Sequence, residues 1–318
     1  MKKRGAFEFS FSWLFALIVG AFILFLAIFF ISKFSATQTD TQDIQNAKEI
    51  SVLLNPLETG FEESGKTVLT LPTNSRLSTR CYLTEEFGRQ TLNLQSENYN
   101  KYSDNSNEIS FKNKYVFLEN NVETKNFYIF SKPFNFPFKV ATLNYMIPIS
   151  QKYCFVGISS EIRDIREELT KVNLSNFEIT SSIDDCSEKS IKVCFNYNFQ
   201  GCSVFVDNKN NQFVQKGNDY IYYEDNTALM FAGIFSTKEL YECQLQRLLQ
   251  RASLLANVYS QKYLMDQQAG CAQSSIGASL SDLETDILAI EDSSELSVLK
   301  TDLKNLENKN SNMICNLW

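Results

Sequence analysis

The chain contains no histidine among its 318 residues, and only 11 glycines and 5 prolines. Without imidazole, Ser-His-Asp and Cys-His catalysis are excluded, and a zinc centre would have to be built from thiolates and carboxylates alone. No two cysteines stand at C-x₂₋₄-C spacing, which removes the usual thiolate pair, so no metal or other cofactor is expected. Basic residues are also in the minority: 30 Lys and Arg face 37 Asp and Glu, a net charge of −7. No surface that would neutralise a phosphate backbone is evident, and nucleic acid is not an expected partner. Scarce glycine disfavours a long flexible linker.

Long apolar runs are absent too, with one exception. Trp13–Ile31 is nineteen residues without a polar side chain. At ~1.5 Å rise per residue a helix of that length covers ~28 Å, close to the hydrocarbon thickness of a bilayer, and only a helix satisfies its own backbone in lipid. Secretory signals have apolar regions of about 7–15 residues ending in a small-x-small site. This run is longer, and Phe30-Ile31-Ser32-Lys33-Phe34 offers no such site. A retained transmembrane helix over 11–33 is therefore expected. Lys2, Lys3 and Arg4 outweigh Lys33, which keeps the stub 1–10 in the cytoplasm and exports the rest. Setting aside Lys2, Lys3, Arg4, Lys33 and Glu8 leaves 26 basic and 36 acidic residues, a net of −10 for the exported part.

The order Lys2-Lys3-Arg4-Gly5, then Ala6, Glu8 and the apolar helix, resembles class III (type IV pilin-like) signal sequences. The resemblance covers about thirty of the 318 residues and implies cleavage between Gly5 and Ala6, with Glu8 guiding the packing of apolar helices into a filament core. Glu8 is the third residue after Gly5, whereas that family places its glutamate fifth. On the residues alone, the same stretch reads as a membrane anchor with an acid beside it. The remainder is similar to membrane-anchored surface proteins of prokaryotes, of the archaeal type, a likeness that implies no activity.

Eight cysteines, Cys81, Cys154, Cys186, Cys194, Cys202, Cys243, Cys271 and Cys315, all fall on the exported side. An even count in an oxidising compartment reads as up to four disulfides. Cys194 and Cys202 flank Asn198 symmetrically and are expected to face each other across a hairpin, with Cys186 an equally reachable partner for either. Cys81 and Cys154 are then the natural pair, and Cys243–Cys315 would lock the C-terminal helices.

Ile44, Ala47, Ile50, Leu53 and Leu54 have helical spacing ahead of Pro56, which predicts a helical stalk over 34–56. From 57 to 235 short aromatic and β-branched runs alternate with turn signals, the texture of a β-rich ectodomain. TVLTL, RCYL, YCFVGI, IKVCFNYN and ALMFAGIF read as strands. Ser160–Val172 interrupts them as an amphipathic helix with Ile162, Ile165, Leu169 and Val172 on one face. Over 236–318 the period becomes helical. Ser236-x-x-Glu239 and Ser281-x-x-Glu284 read as capping boxes opening two helices, with Tyr241, Leu245, Leu248, Ala252, Leu255 and Tyr259 as the seam of an antiparallel hairpin. Lys132–Lys139, three phenylalanines interleaved with two prolines, is expected not to pair as a central strand and to plug the core or form a recognition loop. The fold class is α+β: one transmembrane helix with a helical stalk, a disulfide-braced β-rich ectodomain and a C-terminal antiparallel helical hairpin.

Several motifs match formally and fail chemically. Gly60–Thr67, GFEESGKT, fits the phosphate-binding loop, but that loop needs a helix after it and VLTLP follows. Ser297-x-x-Lys300 and Ser103-Asp104-Asn105 stand in the wrong order for penicillin-recognising enzymes. Asp207–Asn211 places Lys209 where a calcium loop needs oxygen, so it reads as a hairpin turn. No catalytic residue is assigned. Asn173-Leu174-Ser175 is a glycosylation sequon in an expected loop, with Asn173 as acceptor. These readings converge on a non-enzymatic, membrane-anchored, extracytoplasmic structural or interaction protein. Its partners would be the membrane and other proteins, with self-association through the anchor or the C-terminal helices. A solute- or glycan-binding module is the alternative, and an exported carboxylate-dependent hydrolase a third.

Overall fold

The computed structural model describes residues 13–31, 33, 50, 66–84, 87–98, 101–102, 107–158, 162–197, 200–268, 270 and 275–318. The chain is α+β, with an N-terminal apolar helix, a strand-rich region braced by disulfides and C-terminal helices. Helix α1, Trp13–Ile31, is long and apolar enough to cross a membrane, and none of it is buried. The expected stalk lies outside the described residues except for Ile50, which is helical and fully buried.

The first sheet contains β1 (Lys66–Tyr82), β2 (Arg89–Asn98), β3 (Lys101–Tyr102), β4 (Asn107–Phe111), β5 (Tyr115–Phe117), β6 (Val122–Asn135) and β7 (Lys139–Pro148). Their order is β3-β2-β1-β6-β7-β5, with β4 also paired to β2. Strands β4 and β5 thus sit at opposite edges, yet only Lys112–Lys114 join them. Four Cα steps reach about 14 Å at most, whereas five strand spacings across a flat sheet need roughly 24 Å. The sheet must therefore curl until its edges approach. Gln90 on β2 closes the seam: its amide donates to Val116 O (2.7 Å) and accepts from Val116 N (3.0 Å), in place of a missing strand pair. Period-two alternation sorts the side chains. Leu69, Leu77, Leu92, Leu94, Val116, Phe127, Ile129 and Met146 fill the inside of the curl with Ile50. Tyr115, Phe117, Phe130, Leu143 and Tyr145 face the main core. Pro72, which has no N–H to give, lies where the β1–β6 register slips between Thr70 and Ser75.

The second sheet is β8 (Tyr153–Val156), β9 (Phe177–Thr180), β10 (Ile191–Phe195), β11 (Val204–Asp207), β12 (Phe213–Lys216) and β13 (Asp219–Tyr222), in the order β13-β12-β11-β10-β8-β9. The four strands β9, β8, β10 and β11 run parallel. Helix α2 (Arg163–Val172) makes the β8–β9 crossover and buries Ile165, Leu169 and Val172, as its spacing predicts. Ala228–Phe235, expected as a strand, is instead helix α3 (Thr227–Phe235), packed against both sheets with every residue from Ala228 to Phe235 buried. A continuous apolar run fits a buried helix or a central strand equally well. The deciding signal is Asn226, whose side chain caps the helix by accepting from Leu229 N at 3.1 Å. Between the sheets Phe130 and Tyr145 lie 4.6 Å apart by ring centroids, and Tyr153 and Phe235 5.1 Å.

Helices α4 (Lys238–Gln268) and α5 (Ile276–Leu288), a 3₁₀ segment (Ser293–Leu299) and α6 (Lys300–Ser311) complete the chain. Asn257 meets Glu284 at 3.1 Å and Gln246 meets the Ile290 carbonyl at 2.9 Å, so α4 and α5 form the expected antiparallel hairpin. Both predicted capping boxes are displaced. Thr237, not Ser236, accepts from Leu240 N. Ser236 instead bonds back to Ala232 O at the end of α3. Ser281 lies inside α5, which starts at Ile276. The Lys132–Lys139 segment, as expected, does not pair as a central strand: it is the end of the β6–β7 hairpin beyond Phe130, the last β6 residue paired with β1 among the described residues, with Pro133 opposite Thr142 and a cis Phe136–Pro137 peptide. Phe134, Phe136 and Phe138 are all buried, which makes it a plug.

Two sequence expectations about the disulfides are overturned. Cys81 pairs with Cys243, not Cys154, and Cys154 pairs with Cys186. Cys243 is thereby unavailable to Cys315, which is disulfide-bonded elsewhere; Cys271 lies outside the described residues. Cys194–Cys202 forms, but between parallel β10 and the start of β11, not across a hairpin. The reason is topological: α4 docks on β1, while β8 and β10 run side by side and present Cys154 and Cys194 on the same outer face.

Arg247 on α4 is fully buried. It donates to the carbonyls of Phe87 (3.1 Å), Lys114 (3.1 Å), Lys112 (2.7 Å) and Phe111 (3.4 Å), and to Gln244 Oε1 (2.6 Å). Replacing Arg247 by Met would leave several carbonyls of the β4–β5 connection unsatisfied. It is expected to cost roughly 3–5 kcal/mol in denaturant unfolding; a loss within about 1 kcal/mol would refute that role. Loop closure over the 162-residue separation of Cys81 and Cys243 is worth roughly 5 kcal/mol in the chain-entropy model, against about 2–3 for the separation of 8 between Cys194 and Cys202. The double variant Cys81→Ser/Cys243→Ser should therefore lower the unfolding midpoint more than Cys194→Ser/Cys202→Ser does, and the reverse order would contradict the model.

Candidate functional site

Strand β13 ends in a turn closed by Asn226 N donating to Tyr223 O at 3.0 Å. Both central residues, Glu224 (φ 35°) and Asp225 (φ 55°), have left-handed backbones. That conformation costs a side-chain-bearing residue roughly 1–2 kcal/mol, and such turns normally carry Asn or Gly. Three neighbours hold it. Gln212, itself at φ 50°, exchanges two hydrogen bonds with Asp225. Lys300, first residue of α6, bridges Glu224 Oε1 (2.7 Å) and Asp225 Oδ2 (2.9 Å). Asn226, besides capping α3, donates to Asn135 O at 3.1 Å and so ties the turn to the β6–β7 hairpin tip.

Hairpin tip, turn and α6 enclose a cleft of about 270 Å³ lined by Phe136, Pro137, Glu224, Asp225, Lys300 and Lys304 among others. Burial pushes the Asp225 carboxyl up, but its contacts with Lys300 and Gln212 outweigh that and hold it below the usual carboxylate range. Lys300 is held above its ordinary value by Glu224 and then Asp225. Asp225 is thus a fixed carboxylate serving as a counter-ion, not a proton donor. The carboxyl that is shifted upward, that of Glu242, lies elsewhere: burial raises it, opposed by Ser293, whose N–H and hydroxyl it accepts at 2.9 and 2.7 Å. Its hydrogen bonds clamp the 3₁₀ segment to α4. The cleft offers amides, charge and an apolar floor, which suits recognition.

Comparison with protein-family models, with curated proteins and with solved structures finds no match to this chain.

The residues singled out from sequence do not gather into one site. Gly5, Ala6 and Glu8 lie outside the described residues. Asn173 is exposed, ends α2 at φ 45°, and its carbonyl accepts from Lys66 Nζ at 2.6 Å, while Ser175 of the sequon bonds Tyr128. Lys66 and Thr67 open strand β1, so no helix follows to cradle phosphates. Asp207 accepts from the amides of Lys209 (3.0 Å) and Asn210 (3.1 Å) in the β11–β12 turn, as expected. Among the described residues no cluster of acids or cysteines converges as a metal site. The cleft itself escaped sequence reading. Its one local signal was Glu224-Asp225-Asn226 ahead of an apolar run, a turn and N-cap signature masked by reading that run as a strand.

Exchanging Lys300 for Met should loosen the turn in a pH-dependent way. Asp225, depressed in the fold, contributes stability above its ordinary 3.8 that is lost as pH falls through the folded value. Lys300, raised in the fold, contributes below its ordinary 10.5 and loses it as pH rises through the folded value. The difference in melting temperature between the wild type and K300M is expected to be widest between those limits and to close at both. A difference independent of pH would mean the ammonium acts only by packing.

Proposed function

We propose that this chain is a membrane-anchored, extracytoplasmic structural or interaction protein, held by α1 with its N-terminus in the cytoplasm and serving within a pilus-like or envelope assembly. The observation that carries this reading is α1 itself. Its large apolar side chains stand open, with Phe22, Phe25 and Phe30 at 60–65 % exposure, and no described residue buries them. A water-soluble surface rarely leaves so large an apolar face uncovered, whereas a bilayer or a bundle of like helices covers it. The disulfides agree with an oxidising compartment on the far side. Ile50, seated in the core of the curled sheet, follows Lys33 by 17 residues. A helical stalk of that length would keep the domain about 25 Å from the lipid.

A second reading, a solute- or glycan-recognising module, is favoured by the cleft beside the Glu224–Asp225 turn, where amides and carboxylates border the Phe136–Pro137 floor. The two readings separate in native membranes. Under the first, the chain stays in the pellet after an alkaline carbonate wash, external protease removes everything beyond the stalk, and mild cross-linking traps it with neighbours. A native N-terminus at Ala6 by mass spectrometry supports the pilin-like form of the proposal, and an intact Met1–Gly5 removes it. Release into the soluble fraction would overturn the anchor.

A further inference from the structure

We propose that a second cleft, beside the first residues of β7, binds a small oxyanion, the carboxylate or phosphate of an acidic ligand. This goes beyond the anchoring and assembly reading and does not depend on it.

The cleft, of about 270 Å³, is lined by Asn113, Lys139, Val140, Ala141, Thr142 and Arg251. Three elements bring these together. Strand β5 begins opposite Leu143, so the first residues of β7, Lys139–Thr142, have β6 on one side and no strand on the other. Backbone groups of that open edge face whatever enters. Asn113 comes from the short connection that carries the sheet from β4 to β5, and Arg251 from α4. Val140 and Ala141 are buried beneath.

The electrostatics are one-sided among the described residues: two cations line the cleft and no carboxylate does. The side chains of Lys139 and Arg251 make no hydrogen bond or ion pair with the described residues, whereas Arg76, Lys132, Arg163, Lys216 and Lys300 each hold an acid. One helical turn before Arg251 stands Arg247, buried and held by carbonyl and amide oxygens and by the face of the Tyr115 ring. What sets Lys139 and Arg251 apart is that both line one small cleft to which no described acid contributes. The donor set defines its chemistry. A guanidinium fork, an ammonium, an amide and a hydroxyl line the one cleft, and only the amide and hydroxyl can also accept. A cation is repelled, and a neutral sugar would leave both charges uncompensated. An oxyanion satisfies them together, with Arg251 able to bind two of its oxygens. The volume lies just below the range of drug-sized pockets, which limits the occupant to an acid headgroup or a single acidic sugar.

The test uses the full chain in detergent, with melting temperature and titration calorimetry as readouts. Inorganic phosphate and glucuronate are the probes, and sodium chloride at matched ionic strength and glucose are the controls. Either oxyanion is expected to raise the melting temperature at millimolar concentration where chloride and glucose do not. A stronger response to phosphate or to glucuronate identifies a phosphorylated or a carboxylated ligand. Arg251→Gln and Lys139→Gln should each weaken binding by about tenfold or more while melting like the wild type without ligand, because neither side chain has a partner to lose among the described residues. Arg251→Lys should retain part of the affinity. No response of the wild type to either oxyanion overturns the proposal, as does unaltered affinity in the variants. Should Arg251→Gln fold poorly, the exposed Lys139→Gln decides alone: unchanged affinity there refutes the site.

Discussion

The guanidinium of Arg247 is the contact on which the rest of the strand-rich region depends, because it satisfies backbone that nothing else can reach. Curling the first sheet brings β4 and β5 together through three residues, too few to form a ladder of their own, and their carbonyls turn inward. A buried carbonyl without a donor costs roughly 1–3 kcal/mol, and only a side chain with five donors in a rigid fork can serve four of them at once. Burial lowers the Arg247 pKa, the direction expected of a cation out of water, yet the residue stays charged because its ordinary value is so high. Its position has consequences along α4. One turn earlier Cys243 meets Cys81, and Leu240 enters the inside of the curl. Gly88 answers from the sheet side. It sits at φ 56°, and a Cβ there would fall 2.5 Å from Tyr82 O and 3.0 Å from the Arg247 side chain.

The second sheet solves a different problem. Parallel strands are ordinarily covered on both faces. Here α2 and α3 cover one face with an aromatic core. The other carries Cys154 and Cys194, whose bonds to Cys186 and Cys202 pull two short segments over it. Disulfides thus do on this face what helices do in larger parallel sheets. The β10–β11 connection is shorter than the dozen or so residues a parallel crossover usually takes, and the Cys194–Cys202 bond closes that same connection.

The β6–β7 hairpin tip links the sheets to the site chemistry. Phe138 packs against Tyr259 and Trp318, with ring centroids 4.7 and 5.6 Å away, wedging the tip among the C-terminal helices. Two clefts border the ends of the hairpin strands. In one, Lys300 bridges Glu224 and Asp225. In the other, Lys139 and Arg251 hold no acid among the described residues.

Much of the architecture was legible before any coordinates. The apolar run, the α2 stripe, the helical seam of α4 and the strand texture are local patterns, set by hydrophobic period and by propensity over neighbouring residues. Where the reading failed, the competing options were locally equal. An eight-residue apolar run is strand or helix until its cap is weighed. Two cysteines eight residues apart suit a hairpin until the strands prove parallel. By itself the sequence determined an unbroken apolar helix, a chain rich in strands, a helical hairpin and cysteines in even number, because each of these follows from residues close together in the chain. Only the tertiary structure decided which cysteines meet, what Arg247 and Gln90 hold, and that Lys139 and Arg251 share a cleft, because those depend on how the sheet curls and which helix docks across it.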